Sequence, residues 1–176
     1  MAWLASLLER SIGWLAAYPF VINVVGATPR FTEGDGWPHG LPLRAVEGLA
    51  LRLRRAPAKA LARFLDDCLA PGEAEGLPPG RLAALRAASP PTAEAALAGL
   101  EVLARADLRA VLPRLALPTL LLHGQADAIC PIGAAQALAA ALPSARLVAL
   151  PGGHAPFLAH EAEVAGLVAA FAREVG

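Results

Sequence analysis

The chain has 176 residues, 15 basic and 15 acidic side chains, 56% hydrophobic residues and 5% aromatics. That size suits one domain with an ordinary buried core. Zero formal net charge argues against a nucleic-acid-binding surface, and high apolar content with few charges excludes intrinsic disorder.

Three zones follow one another. In the first, residues 1–31, the opening stretch is apolar, but Glu9 and Arg10 interrupt it and Pro19 and Asn23 fall in its apolar part. No basic segment precedes it, so it is read as neither a signal peptide nor a membrane span, and the chain as cytoplasmic. A helix-like stretch leads into Phe20-Val21-Ile22-Asn23-Val24-Val25-Gly26-Ala27, a β-branched run closed by glycine that predicts a buried strand. The second zone, 32–106, opens with the loop Glu33-Gly34-Asp35-Gly36-Trp37-Pro38 and shows no strand pattern. Helices are expected at Leu43–Arg55, Pro57–Leu69, Arg81–Ala88 and Ala93–Arg105. Pro57 suits a first turn, and Thr92 with Glu94 suits a helix start.

The third zone, 107–176, alternates. Pro118-Thr119-Leu120-Leu121-Leu122-His123-Gly124 reads as a strand buried on both faces. A helix over Gly133–Leu142, a strand over Ala145–Leu150 and a helix over Glu161–Val175 follow. Strand, helix, strand, helix predicts an α/β fold with a parallel sheet and crossover helices, whose function sits on loops beyond the carboxyl ends of the strands. Cys68 and Cys130 show neither disulfide-framework nor zinc spacing. They are expected to be free thiols in a reducing compartment.

Two loops of the functional kind occur, Gly124–Pro131 with Asp127 and Pro151–Phe157 with His154. Neighbouring parallel strands lie about 4.8 Å apart, so side chains at their two ends can meet. A carboxylate there can hold an imidazole in one tautomer and let it act as general base, then general acid. Singly, each residue also has a plain reading, Asp127 as a turn or cap and His154 as a loop histidine. The other three histidines are given local roles: His123 packs or bonds at a strand end, His160 flanks the last helix, and His39 sits in a Pro/Gly loop.

Gly124-Gln125-Ala126-Asp127 and Gly153-His154-Ala155-Pro156-Phe157 resemble the acid and histidine motifs of α/β-hydrolases. Gly99-Leu100-Glu101-Val102-Leu103, Ala106-Asp107-Leu108-Arg109 and Leu117-Pro118-Thr119 narrow the likeness, together with Gly26-Ala27-Thr28-Pro29-Arg30-Phe31 and Trp37-Pro38. They resemble the pimeloyl-acyl-carrier-protein methyl ester esterases of biotin synthesis, from about Phe20 onward. The resemblance implies an α/β-hydrolase fold and a carboxylic ester hydrolase with a Ser-His-Asp mechanism, Asp127 the acid and His154 the base. It implies that residues 32–106 form a helical lid inserted in a core made of 1–31 and 107–176. Phe64, Leu65, Asp66, Asp67 and Cys68 would then line the substrate channel, and Lys59 and Arg63, at i and i+4, would meet the acyl carrier protein. No metal or organic cofactor, no nucleic acid and no membrane is implied, and a monomer is expected.

Charge can be weighed separately. From Arg44 to Arg63 six basic residues face only Glu47, and Asp66, Asp67, Glu73 and Glu75 follow. Such a run is most often a solvated helix face; here it also suits steering of an acidic partner. A serine hydrolase of this fold also needs Gly-x-Ser-x-Gly on a strand-to-helix turn, and no complete copy exists in the sequence. Ser11 of Ser11-Ile12-Gly13 precedes Tyr18-Pro19 in the family's order and is the nucleophile candidate. Glu9 replaces the first glycine and the helix between is short, so a helix or cap serine is the competing reading. On this pattern the chain is expected to be N-terminally incomplete. The rival functions are a catalytically inactive fragment that at most binds acyl carrier protein or a complementary chain, and another hydrolase of this fold, a lactonase or general carboxylesterase.

Overall fold

Thr119-Leu120-Leu121-Leu122-His123-Gly124 is buried at every position because both its faces and both its edges are covered. In the computed structural model, which describes residues 21–88 and 91–175, this run is β2 (Thr119–Gly124). It lies between β1 (Ile22–Val25) and β3 (Ala145–Leu150), parallel to both. Side chains alternate along it, as the pleat requires. Leu120 and Leu122 point with Val21 and Leu150 toward Phe171, Val164 and Leu167 of the last helix, Glu161–Val175. Leu121 points the other way, toward Leu138 and Leu142 at the helix Ile132–Ala141. The core is therefore three-layered, helix on sheet on helix. The strand expected over Phe20–Ala27 is regular over Ile22–Val25, and the described part of the first zone begins at Val21. The helix-like stretch before it, and Ser11, lie outside the described residues.

Between β1 and β2 the chain leaves the sheet and, among the described residues, makes five α-helices, α1 (Leu43–Arg55), α2 (Pro57–Asp67), α3 (Glu73–Gly76), α4 (Arg81–Ala87) and α5 (Ala93–Arg105), and a short 3-10 turn at Leu112–Arg114. The helices flanking β3 are then α6 (Ile132–Ala141) and α7 (Glu161–Val175). Pro57 occupies the first turn of α2, and the Thr92 hydroxyl accepts from the Ala95 N–H at 3.2 Å to cap α5. The amphipathic faces of α1, α2 and α5 meet in a core of Phe31, Val46, Leu53, Ala60 and Leu100, joined by Cys130 from beyond β2. The expected helix boundaries hold to within two residues, while α3 has no counterpart in the sequence reading. Its four residues, Glu-Ala-Glu-Gly, are too few and too polar to show a period.

The two ends of this helical segment are pinned together. Arg30 and Asp107 form an antiparallel bridge, and Leu108 N–H donates to the Pro29 carbonyl at 2.9 Å. Asp107 accepts from Arg30 Nη1 at 3.1 Å and from Arg109 Nη2 at 2.7 Å. Trp37 Nε1 donates to the Arg30 carbonyl, and the Arg109 guanidinium lies 5.8 Å from the centroid of the Trp37 ring. The segments Thr28–Phe31, Trp37-Pro38 and Ala106–Arg109 thus meet in one clasp where the chain leaves and re-enters the sheet.

Candidate active site

The carboxyl ends of the three strands converge, and glycines let their loops touch backbone to backbone. Gly26, just after β1, has φ +59°, and a Cβ there would lie 2.7 Å from the His154 carbonyl oxygen and 3.1 Å from its imidazole. A Cβ on Gly124, the last residue of β2, would overlap the Gly153 carbonyl oxygen. These contacts set the loop after β2, carrying Asp127, against the loop after β3, carrying His154.

Asp127 is fully buried, and each carboxylate oxygen has its own pair of donors. Oδ1 accepts from the backbone N–H groups of Ile129 and Cys130, both at 2.8 Å, which closes the turn. Oδ2 accepts from His154 Nδ1 at 2.8 Å and lies 3.2 Å from His123 Nε2. One oxygen thus closes the turn, as the plain reading of Asp127 expects, and the other faces the His154 imidazole. A carboxylate only accepts, so His154 carries its proton on Nδ1 and its Nε2 is left as the acceptor. His123 Nε2 also lies 2.7 Å from the Cys130 carbonyl, so His123 is protonated there. His123 is the member of this group that the sequence reading left as a local packing residue. Its one available signal was its place four residues before Asp127 at the strand end.

Burial opposes ionisation of Asp127, but hydrogen bonds from His123, His154 and the Cys130 N–H outweigh it and hold the carboxyl well below the usual carboxylate range. Burial likewise lowers His123, and its bonds to Asp127 and to the Cys130 carbonyl outweigh that, raising it above 6.5. Burial, with the Asp127 charge beside them, pushes the Cys68 and Cys130 thiols up to about 12. Both are free and buried, hence neutral thiols rather than nucleophiles at neutral pH.

The residues after Asp127 open onto a cavity of about 310 Å³, lined by Phe31, Val46, Leu49, Phe64, Leu100 and Ile129, with Arg52, Arg63 and Asp67 among its polar groups. A second, wider recess of about 450 Å³ adjoins it, sharing Asp67 and Ala128 and lined by Asp66. Of the residues assigned to the channel, Phe64 and Asp67 line the first cavity and Asp66 and Asp67 the second, while Leu65 lines neither. Cys68 is buried, and its carbonyl accepts from the His154 N–H at 2.8 Å. Lys59 is exposed on α2; Arg63, one turn on, donates to Asp67 at 2.9 Å and so is partly engaged within the helix. Among the described residues no group of three or more His, Cys, Asp or Glu is placed to hold a metal ion, and no helix is long and apolar enough to cross a membrane.

Residues 97–174 match a family model described as Abhydrolase_4, TAP-like protein. Among curated proteins, the chain is 36% identical over 156 residues to a pimeloyl-[acyl-carrier protein] methyl ester esterase of Xanthomonas oryzae pv. oryzae (strain MAFF 311018), covering 88% of this chain and 62% of that protein. It is 37% identical over 152 residues to the protein of the same name from Stenotrophomonas maltophilia (strain K279a), covering 85% and 59%. The chain thus spans about three fifths of the length of the curated relatives it matches. Among solved structures, an esterase (EaEST) from Exiguobacterium antarcticum superposes with a TM-score of 0.80 at 23% identity, covering 88% of this chain and 57% of that one. An alpha/beta hydrolase, MGS-M2, from a Medee basin deep-sea metagenome library superposes at 0.67 with 18% identity, covering 92% and 60%. The chain has the α/β-hydrolase fold and is homologous to the pimeloyl-[acyl-carrier protein] methyl ester esterases.

Proposed function

We propose, from that homology as premise, that the chain carries the acid and base of a carboxylic ester hydrolase whose substrate is the methyl ester of pimeloyl-acyl-carrier protein. The observation that carries this is the 2.8 Å contact between Asp127 Oδ2 and His154 Nδ1 at the carboxyl ends of adjacent strands, beside an apolar cavity. In this mechanism His154 Nε2 takes the proton of a serine hydroxyl as the oxygen attacks the ester carbonyl. Asp127 fixes the tautomer and stabilises the imidazolium. Backbone N–H groups hold the oxyanion, methanol leaves with the proton from His154, and a water activated the same way frees the carboxylate. The helical segment over residues 32–106 acts as a lid, and its cavity takes the apolar acyl chain. Ser11 is the nucleophile carried by the sequence order. Lys59, with Arg54 and Arg55, which make no ion pair among the described residues, presents positive charge to the acidic carrier, without needing a fixed geometry.

The test is hydrolysis of pimeloyl-acyl-carrier-protein methyl ester by the full chain, against His154→Ala and Ser11→Ala. Hydrolysis lost in both variants is the expected result; hydrolysis unchanged in His154→Ala overturns the assignment. A second reading rests on the absence of any Gly-x-Ser-x-Gly in the sequence. In it the chain is inactive and binds the carrier protein, or a complementary chain, through the same basic face. Carrier binding by native mass spectrometry with no turnover of the ester would favour it.

A further inference from the structure

The histidine loop meets the helical segment at two adjacent backbone N–H groups, one held by a side-chain carboxylate and one by a backbone carbonyl. Glu73, at the start of α3, places Oε2 2.6 Å from the Ala70 N–H and 2.8 Å from the Gly153 N–H. One donor belongs to the helical segment and the other to the loop after β3, 80 residues away in sequence. Next to Gly153, the His154 N–H donates to the Cys68 carbonyl at 2.8 Å. The fit is close: a Cβ on Gly153 would lie 2.5 Å from the Cys68 oxygen and 2.7 Å from the Ala70 nitrogen, and a Cβ on Gly152 would collide with Glu73 Oε1. Glu73 Oε1 itself is buried with no hydrogen-bond partner among the described residues. A half-buried carboxylate with one oxygen shared and the other inaccessible and unpartnered among the described residues is costly for packing alone, so a functional reason for it is indicated.

We propose that Glu73 is a positioning residue for His154: it ties the backbone of the histidine loop to the helical segment, so that the placement of that segment sets the placement of the imidazole. The chain of contacts is short. Glu73 holds Gly153 N–H, the peptide after Gly153 carries His154, and the imidazole is fixed at its far side by Asp127. The clasp at Arg30, Asp107 and Arg109 holds the base of the helical segment, whereas the Glu73 contact lies where the segment meets the histidine loop. A ligand that settles the helices is thereby coupled to alignment of the base. This inference rests on the proposed hydrolase role for its meaning, though its structural content can be tested without any turnover.

The test is proton and nitrogen NMR of the full chain, following the Gly153 amide and the His154 Nδ1 proton bonded to Asp127. Glu73→Gln keeps an oxygen at the same reach and should retain both signals. Glu73→Asp keeps the charge but is one methylene short, and Glu73→Ala removes the acceptor. Both should raise Gly153 amide exchange at least tenfold and broaden the His154 Nδ1 proton, with the His123 Nε2 proton and β2 amides unchanged as the internal report of an intact fold. If Glu73→Ala does not fold, the Gln and Asp variants decide the matter in the same way. Unchanged Gly153 exchange and an unchanged His154 signal in the Asp variant would overturn the proposal, as would a Gln variant that loses both. Absence of hydrolysis with these responses intact would count against the hydrolase role alone. Where hydrolysis is measured, the Asp variant should lower kcat at unchanged KM, and Gln should restore it.

Discussion

At the scale of single residues, the site turns on how many donors one buried carboxylate can satisfy. Asp127 accepts from two backbone N–H groups on Oδ1 and faces two imidazoles with Oδ2. Asn in its place offers one accepting oxygen and an NH2 group that opposes the His154 Nδ1 proton. Asp127→Asn is therefore expected to lower kcat roughly ten-thousand-fold through the wrong tautomer, measured by steady-state ester hydrolysis. The same residue shapes the response to acid. Its native pKa lies below the usual 3.8, so between the two values the unfolded chain binds more protons and stability rises with pH. The stabilisation is present above about pH 4 and is lost progressively as pH falls below it; Asp127→Asn should remove that part of the acid sensitivity in urea titrations between about pH 2 and pH 4, with no difference in slope above it. Gly124→Ala is expected to destabilise by about 1–3 kcal/mol, since its methyl overlaps the Gly153 carbonyl; the shift of the urea midpoint measures it. Asp127 and His154 were legible because each follows a strand in the required order. His123 was not, since its approach to Asp127 depends on the turn that the Asp127 N–H closes on the Gly124 carbonyl at 3.3 Å, which a residue pattern does not encode. Glu73 was seen only as negative charge, because its partner Gly153 is distant in sequence.

At the scale of elements, the strands and long helices were legible for a common reason: each spends its hydrophobic residues on a face. The run Leu120-Leu121-Leu122 has no polar side, and the structure gives it helices on both. Leu122→Ala should accordingly cost about 2–5 kcal/mol, whereas Leu103→Ala on α5, 44% exposed, should stay within about 0.5 kcal/mol; denaturant midpoints of the two variants provide the comparison. The one-turn α3 went unread for the opposite reason, having too few residues to show a period and no apolar face. The clasp was half legible: Arg30, Trp37, Asp107 and Arg109 stood out in the sequence, but only their packing shows that they lock the two ends of one helical excursion. That excursion leaves the sheet after β1 and returns at β2, so strands far apart in sequence pair in register, Ile22 with Thr119.

For the whole molecule, zero net charge conceals an uneven surface. Arg54, Arg55 and Lys59 are exposed on neighbouring helices and make no ion pair among the described residues, while Arg63 and Arg86 are paired to Asp67 and Asp66. Composition shows the excess of charge over residues 44–63 but not which members are engaged locally; that needs the pairing. Lys59→Glu should weaken the proposed association with acyl carrier protein, and the loss should shrink as ionic strength rises past about 0.15 M, where the screening length is about 8 Å; titration calorimetry at two salt concentrations checks it. The central proposal is that Asp127 and His154 form the acid–base pair of a serine ester hydrolase, resting on their 2.8 Å contact. Labelling of the purified full chain by a fluorophosphonate probe tests it most directly, because the probe reacts far faster with a hydroxyl activated by such a base than with other nucleophiles. Covalent labelling that is abolished in both His154→Ala and Asp127→Asn, each folded by the β2 amide criterion, is the predicted result. No labelling of the folded native chain, or labelling that persists in the His154 variant, would contradict it.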